Sequence, residues 1–290
     1  MSEASQKPQP LHRFRRRFRK RTRPRLDGAS FNRLLPNLLT MLGLVAGLVA
    51  IRFAFDGRWS HAAALIVVAA VIDGLDGRLA RLLKATSRFG AEFDSLADFL
   101  SFGVAPALIL YLWTMQTIGP QGFVPCLLFA VCSSLRLARF NASLDLGPAP
   151  KPAYAQNFFT GVPAPAGAGI ALFPLFGSLF FAEAGLPAVA EGLRHWAFVG
   201  LLLAGTAALM VSTFPTWSFK NFRVPRGLVL PLLLGVGLYL ALLVTEPWAA
   251  LAAGGMIYVS MLPFSLRSYL HLKQEAEALV EQVAEPAPRG

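Results

Sequence analysis

The sequence predicts an all-α, polytopic membrane bundle of about eight transmembrane helices, with both termini cytoplasmic. Three observations predict it. Hydrophobic residues make up 55% of the 290 and mean hydropathy is +0.53, which marks a polytopic membrane protein rather than a soluble domain. Eight apolar segments recur along the chain, each close to the ~17–25 residues a spanning helix needs. With the N-terminus inside, all of the 27 Lys and Arg except Arg52, Arg58 and Arg194 fall on the inner side, the asymmetry expected of cytoplasmic loops.

Residues 1–30 are polar and basic, with Arg13, Arg15, Arg16, Arg17, Arg19, Lys20, Arg21, Arg23 and Arg25. They read as a disordered cytoplasmic tail that orients the protein and binds anionic lipid electrostatically. Aromatic interleaving is limited to Phe14 and Phe18, so nucleic acid is not the expected partner. No cleavable signal peptide is expected, because this basic run is not a short n-region before an h-region. The membrane domain is expected over 31–268, with spans near 36–55, 61–83, 91–115, 121–140, 158–182, 195–212, 228–245 and 248–265. Residues 269–290, with alternating Glu and Lys, read as a short helix and then a disordered cytoplasmic tail. Cys126 and Cys132 lie six apart in one apolar segment. A helix would hold them too far apart to bond, so free thiols are expected.

The second and third spans carry four aspartates: Asp73, Asp76, Asp94 and Asp98. Carboxylates at membrane depth cost about 2.5–3.5 kcal/mol each on insertion scales and so indicate function. Their pattern is D-x2-D-G-x2-A-R-x8-G-x3-D-x3-D, running from Asp73 through Gly77, Ala80, Arg81 and Gly90 to Asp98. Asp73 and Asp76 share one helix face, as do Asp94 and Asp98. A tight turn at Ser87-Arg88-Phe89-Gly90 between antiparallel helices would point all four at a common space.

Without metal, four such carboxylates would repel one another. Two divalent cations would cancel the charge. All-oxygen ligation favours Mg²⁺ or Mn²⁺ over zinc, and none of His12, His61, His195 and His271 lies near the motif. A metal pair of this kind suits displacement at phosphorus. Gly77 lets backbone approach a ligand closely, and Arg81, one helical turn on, suits a pyrophosphate. Glu92 should face away from Asp94 and is not expected in the site. Buried ion pairs of the aspartates with Arg78, Arg81 and Arg88 are the purely structural alternative. Chance agreement at the eight motif positions is about one in a billion at average residue frequencies.

The motif resembles, at all eight positions, the signature of the CDP-alcohol phosphatidyltransferase family. The resemblance implies a membrane enzyme that moves a phosphatidyl or related group from a CDP-linked donor to an alcohol and releases CMP. It implies Asp73, Asp76, Asp94 and Asp98 as ligands of two Mg²⁺ or Mn²⁺ ions, with Asp98 also the base for the acceptor hydroxyl. Gly77, Arg81 and Ser87 would contact the CDP part of the donor. Asn37, in Pro36-Asn37-Leu38-Leu39-Thr40, would lie near the nucleotide. The family also implies a homodimer.

Further segments are similar to those of the bacterial members that use L-serine. They are residues 97–106 (ADFLSFGVAP), 135–141 (LRLARFN) and 159–166 (FTGVPAPA). The expected reaction is therefore CDP-diacylglycerol plus L-serine giving phosphatidylserine and CMP, at the cytoplasmic face of the inner membrane. Serine brings a carboxylate, which Arg binds bidentately. Arg136 and Arg139, at the cytoplasmic end of span four, and Lys220, at the same level, are the candidate acceptor contacts. Positive-inside flanking is the plain alternative for each. Asn141 either caps its helix or binds substrate. Gly161, Pro163, Pro165, Gly167 and Gly169 either pack helices closely or wall the acceptor pocket.

The same chemistry also admits glycerol 3-phosphate, inositol phosphate or choline as acceptor. An intramembrane prenyltransferase usually carries a second Asp-rich motif in its other half, and residues 150–290 hold no paired aspartates. An ion-coupled transporter should repeat its broken helices in both halves, and no second copy is evident.

Overall fold

The computed structural model describes residues 31–145, 158–217 and 225–284. The expected basic tail at 1–30, Lys220 and residues 285–290 lie outside the described residues. The order is α1 (Phe31–Phe55), α2 (Trp59–Leu82), α3 (Arg88–Asp98), a π-helical turn (Phe99–Val104) and α4 (Ala105–Trp113). A 3-10 segment (Met115–Gly122), α5 (Phe123–Asp145), β1 (Phe158–Thr160), α6 (Ala164–Glu183), α7 (Pro187–Leu193) and α8 (Trp196–Val211) follow. β2 (Pro215–Trp217), a 3-10 turn (Arg226–Leu228), α9 (Val229–Thr245) and α10 (Pro247–Ala284) complete it.

The protein is a multi-pass membrane protein. Five helical stretches are long and apolar enough to cross a bilayer: Leu34–Phe55, Arg88–Trp113, Met115–Ser143, Ala164–Glu183 and Pro247–Glu277. α7 and α8, bent by 45° at their junction, make a sixth if they form one span. α2, whose last ten residues carry Asp73, Asp76, Arg78 and Arg81, is not among them, and the apolar α9 is shorter. Cys126 and Cys132 are free, as expected.

Small residues set the closest helix contacts. A Cβ at Gly47 of α1 would lie 2.6 Å from Ser101 Oγ, and one at Gly103 would lie 2.9 Å from Ser133 Oγ of α5. α1 and α5 thus grip the π turn from two sides. The π turn directly continues α3, so this packing also fixes the helix end that bears Asp98. Single π turns often mark functional sites.

Span five begins later than expected. Phe158–Thr160 pairs antiparallel with Pro215–Trp217 in a two-stranded ribbon, and helix starts only at Ala164. The Pro163 and Pro165 that flank this start suit a helix N-terminus, where a missing N–H costs nothing. Ser265 of α10 donates from Oγ to the Pro215 carbonyl at 2.8 Å, tying the ribbon to the bundle. Gly167 answers the close-packing expectation, since a Cβ there would lie 2.8 Å from Met210 Sδ of α8.

Gly161 closes the ribbon at φ +76°, where a Cβ would lie 2.7 Å from the Met210 carbonyl oxygen. Gly161→Ala is therefore expected to destabilise the fold by about 1–3 kcal/mol. Thermal unfolding in detergent checks this against Gly185→Ala. Gly185 has the same φ but open space around its Cβ position, so it carries the backbone strain without the clash.

At the other end of the bundle, Arg194 donates from Nε and Nη2 to the Trp113 carbonyl at 3.2 and 2.8 Å. Thr114 Oγ1 returns a bond to the Arg194 carbonyl at 2.6 Å. Arg194 thus closes the C-terminus of α4 against the α7–α8 corner.

Candidate active site

The site forms where the N-terminal half of α1, the C-terminal half of α2 and α3 meet. The spacing read from the sequence brings three of the four aspartates into one group. Carboxylate oxygens of Asp73, Asp76 and Asp94 lie within 4.8 Å of one another. Asp98, one turn beyond Asp94, lies outside that group. All four line a narrow notch with Thr40, Gly43 and Ser101.

Asp76 is the most enclosed of the four, 3% exposed. Its Oδ2 accepts a 2.7 Å hydrogen bond from Thr40 Oγ1, which also lies 3.1 Å from the Pro36 carbonyl. Sequence reasoning named Asn37 in this segment and missed Thr40. The available signal was a lone hydroxyl in an apolar helix, at the level of the aspartates.

The donor set fits a divalent cation. Three carboxylates this close repel one another unless a cation lies between them, and all-oxygen ligation suits a hard ion. Among the described residues, the notch has no His or Cys in its lining. Asp73, Asp76 and Asp94 form the group that could hold a metal ion.

Beside the notch opens a cavity of about 520 Å³, lined by Asn37, Thr40, Asp76, Gly77, Arg81, Ser87, Gly90 and Asp94 among others. This is within the usual range for small-molecule sites, ~300–1,000 Å³. All four expected donor contacts, Asn37, Gly77, Arg81 and Ser87, thus share one wall system with two of the aspartates. A Cβ at Gly77 would meet nothing within 4 Å, so bare backbone faces open space. Arg81 is exposed and unpaired with carboxylate: among the described residues, the ion pairs are Arg52–Asp56, His271–Glu275 and Lys273–Glu277. The ion-pair alternative for the aspartates therefore finds no support there.

The α2–α3 connection differs from the expected turn. Ser87 is the N-cap of α3: its Oγ accepts from Gly90 N at 3.0 Å. Arg88, Phe89 and Gly90 are already helical, and the reversal falls at 83–87, with Lys84 at φ +51°. A serine that accepts from Gly90 keeps its own proton to donate into the cavity. Gly90 also lets α1 approach, since a Cβ there would lie 3.0 Å from Asn37 Oδ1.

The three acceptor candidates separate. Arg136 is half-buried on α5, and its Nε is enclosed without a hydrogen-bond partner. Asp98 and the Tyr258 hydroxyl are the groups it interacts with electrostatically. Arg139 is exposed and donates from Nη1 to the Val211 carbonyl at 2.8 Å, closing the C-terminus of α8. Lys220 lies outside the described residues. Asn141 neither caps nor faces the aspartates: it exchanges hydrogen bonds with Ser95 at 3.0 and 3.1 Å, joining α5 to α3.

Known proteins share this arrangement at the level of sequence. The family model described as CDP-alcohol phosphatidyltransferase matches residues 33–202, and one described as CDP-alcohol phosphatidyltransferase 2 matches 227–263. The chain is 42% identical to a Mycobacterium bovis protein named CDP-diacylglycerol–serine O-phosphatidyltransferase, over 84% of this chain and 82% of that one. Proteins of the same name from Mycobacterium leprae and Helicobacter pylori are 39% and 34% identical. They cover 89% and 78% of this chain and 82% and 88% of their own. The first match alone spans the α1–α3 site and the helices that enclose it, and with these relatives it shows that the chain belongs to the CDP-alcohol phosphatidyltransferase family.

Proposed function

We propose that this protein transfers the phosphatidyl group of CDP-diacylglycerol to L-serine, giving phosphatidylserine and CMP. The observation that carries the reading is the aspartate group opening onto a cavity lined by Asn37, Gly77, Arg81 and Ser87. The named relatives act on the same donor and acceptor, which supports the serine assignment.

The donor's acyl chains lie in lipid and its CDP head enters the 520 Å³ cavity. Gly77 admits the pyrophosphate close to backbone. Arg81 pairs with it, and the Ser87 hydroxyl and Asn37 amide orient the nucleotide. Asp73, Asp76, Asp94 and Asp98 would hold two divalent cations, Mg²⁺ or Mn²⁺, whose charge would neutralise the pyrophosphate and polarise the phosphorus. Thr40 fixes the Asp76 carboxylate by its hydrogen bond. Asp98 takes the proton of the serine hydroxyl. The serine oxygen then bonds to the phosphatidyl phosphorus as the bond to the CMP oxygen breaks. CMP departs with that electron pair beside Arg81.

Arg136 binds the serine carboxylate. Its enclosed, unpaired Nε supports this role, because a buried donor without a partner is costly unless a ligand completes it. Arg139 already has a backbone partner and contributes less. Arg136→Ala is expected to raise KM for serine about 10- to 100-fold, with KM for CDP-diacylglycerol little changed. That is the ~1.5–3 kcal/mol of a hydrogen bond between charged groups.

The reading includes eight spans, cytoplasmic termini, a homodimer and an active site open to the cytoplasm of the inner membrane. It also includes direct displacement, because no Ser-His or Cys-His pair accompanies the aspartates. Exchange of labelled CMP into donor without serine would contradict that. The function is tested by CMP release from CDP-diacylglycerol with serine, glycerol 3-phosphate, inositol phosphate or choline offered singly. Release with serine is expected; release with another acceptor only would overturn the serine assignment.

A further inference from the structure

Thr40 and Asp76 are both buried, and they come from different helices, α1 and α2. The threonine hydroxyl donates to Asp76 Oδ2 at 2.7 Å. The same Oγ1 lies 3.1 Å from the Pro36 carbonyl, one turn back on α1. A helical threonine has few rotamers, and contact with the carbonyl four residues back is one it favours. Backbone thus holds the rotamer, and the rotamer aims the hydroxyl at the carboxylate.

The pair sits on the boundary between the two spaces of the site. Thr40 and Asp76 line both the aspartate notch and the 520 Å³ cavity. Asp76 is also one of the three carboxylates within 4.8 Å of one another. An ionised carboxylate has about four lone-pair positions, so accepting one hydrogen bond leaves others for a cation. A hydrogen bond to a ligating carboxylate fixes its orientation, and losing it typically costs ~10–100-fold in metal affinity or activity.

We propose that Thr40 is a positioning residue for the cation site: α1, which carries no part of the aspartate motif, sets the affinity of that site by holding Asp76 in its ligating orientation. This rests on the reading that Asp73, Asp76 and Asp94 hold a divalent cation, and it is independent of which alcohol accepts the phosphatidyl group. Thr206 of α8 shows what a packing threonine looks like. It is equally buried, and its Oγ1 donates to the Leu202 carbonyl, four residues back, at 2.7 Å. The two share the backbone contact, and Thr40 adds the carboxylate.

The test is Thr40→Val, which keeps the branched shape and removes the donor, beside Thr40→Ser, which keeps the donor, with Thr206→Val as comparator. Binding of Mn²⁺ to the detergent-purified protein, without lipid donor or acceptor, is read from the electron paramagnetic resonance signal of the free ion. Melting temperature without metal is recorded for each variant. Thr40→Val is expected to raise the Mn²⁺ dissociation constant about tenfold. Thr40→Ala, smaller and also without a donor, gives the same rise and serves if Thr40→Val does not fold. Thr40→Ser stays within about threefold of the unmodified protein, and Thr206→Val within about twofold. Excess Mn²⁺ restores most of the CMP release that Thr40→Val loses at low Mn²⁺. A lower melting temperature with an unchanged dissociation constant in Thr40→Val is what a purely structural threonine gives, and it overturns the proposal. An equal rise in Thr40→Ser also overturns it. If the unmodified protein binds no Mn²⁺, the cation reading itself has failed.

Discussion

Asp98→Asn is expected to lower kcat about 10²- to 10⁴-fold, the span that a positioned general base contributes. The substitution keeps the shape of the side chain and removes its ability to accept a proton at neutral pH. Asp98 is suited to this task by place. It stands at the end of α3, in the notch it shares with Asp73, directly before the π turn gripped by Gly47 and Ser133. A base so fixed loses little in reorganisation when the acceptor arrives. The exposed Glu92, also on α3, is the control: Glu92→Gln should retain near-normal turnover. Equal losses in the two variants would remove Asp98 from the mechanism.

Asp76→Asn is expected to abolish both turnover and the response to metal. Divalent ion at about 100 times its dissociation constant should stabilise the folded protein by about 2.7 kcal/mol, visible as a rise in melting temperature of several degrees. Asp76 is the enclosed member of the group and is held by Thr40, so its loss removes the best-fixed ligand. Asp98→Asn should keep most of the thermal response, because Asp73, Asp76 and Asp94 still lie within 4.8 Å of one another. The two variants thus separate loss of the three-carboxylate group from loss of the base. A full metal-induced shift in Asp76→Asn would place the cation elsewhere. Chelation should reverse the shift in the unmodified protein and stop CMP release with it.

Much of this site is legible in the sequence because helical spacing is local. Asp73 and Asp76 lie three apart, Asp94 and Asp98 four apart, and a short connection must turn α2 back on α3. That suffices to bring the carboxylates together, and Gly77, Arg81 and Ser87 follow as neighbours on the same elements. The reversal itself falls a few residues before the expected turn. Ser87 is an N-cap, but Gly90 stands where a capping box would carry Glu or Gln, so the helix start was weakly signalled.

What sequence reasoning missed depends on contacts distant along the chain. The π turn at Phe99–Val104 is held by residues of α1 and α5, and its own segment has the composition of any apolar helix. The ribbon pairs Phe158–Thr160 with Pro215–Trp217. Three-residue strands more than fifty positions apart leave no periodic signal. Thr40 meets Asp76 across thirty-six residues, from a helix that carries no part of the aspartate motif. Arg139 and Arg136 looked alike as basic residues at one helix end. Only their surroundings tell them apart: the Val211 carbonyl bonds Arg139, whereas the Arg136 Nε is enclosed without a partner.

The central claim is that the aspartate site moves a phosphatidyl group onto serine. Its most direct test is to incubate the detergent-purified protein with CDP-diacylglycerol, serine and Mg²⁺ or Mn²⁺, and to quantify the lipid product and CMP together by mass spectrometry. One phosphatidylserine per CMP, with both abolished by chelator and by Asp76→Asn, is the predicted result. CMP formed without a serine-containing lipid, or phosphatidylserine formed equally well by Asp76→Asn, would contradict it.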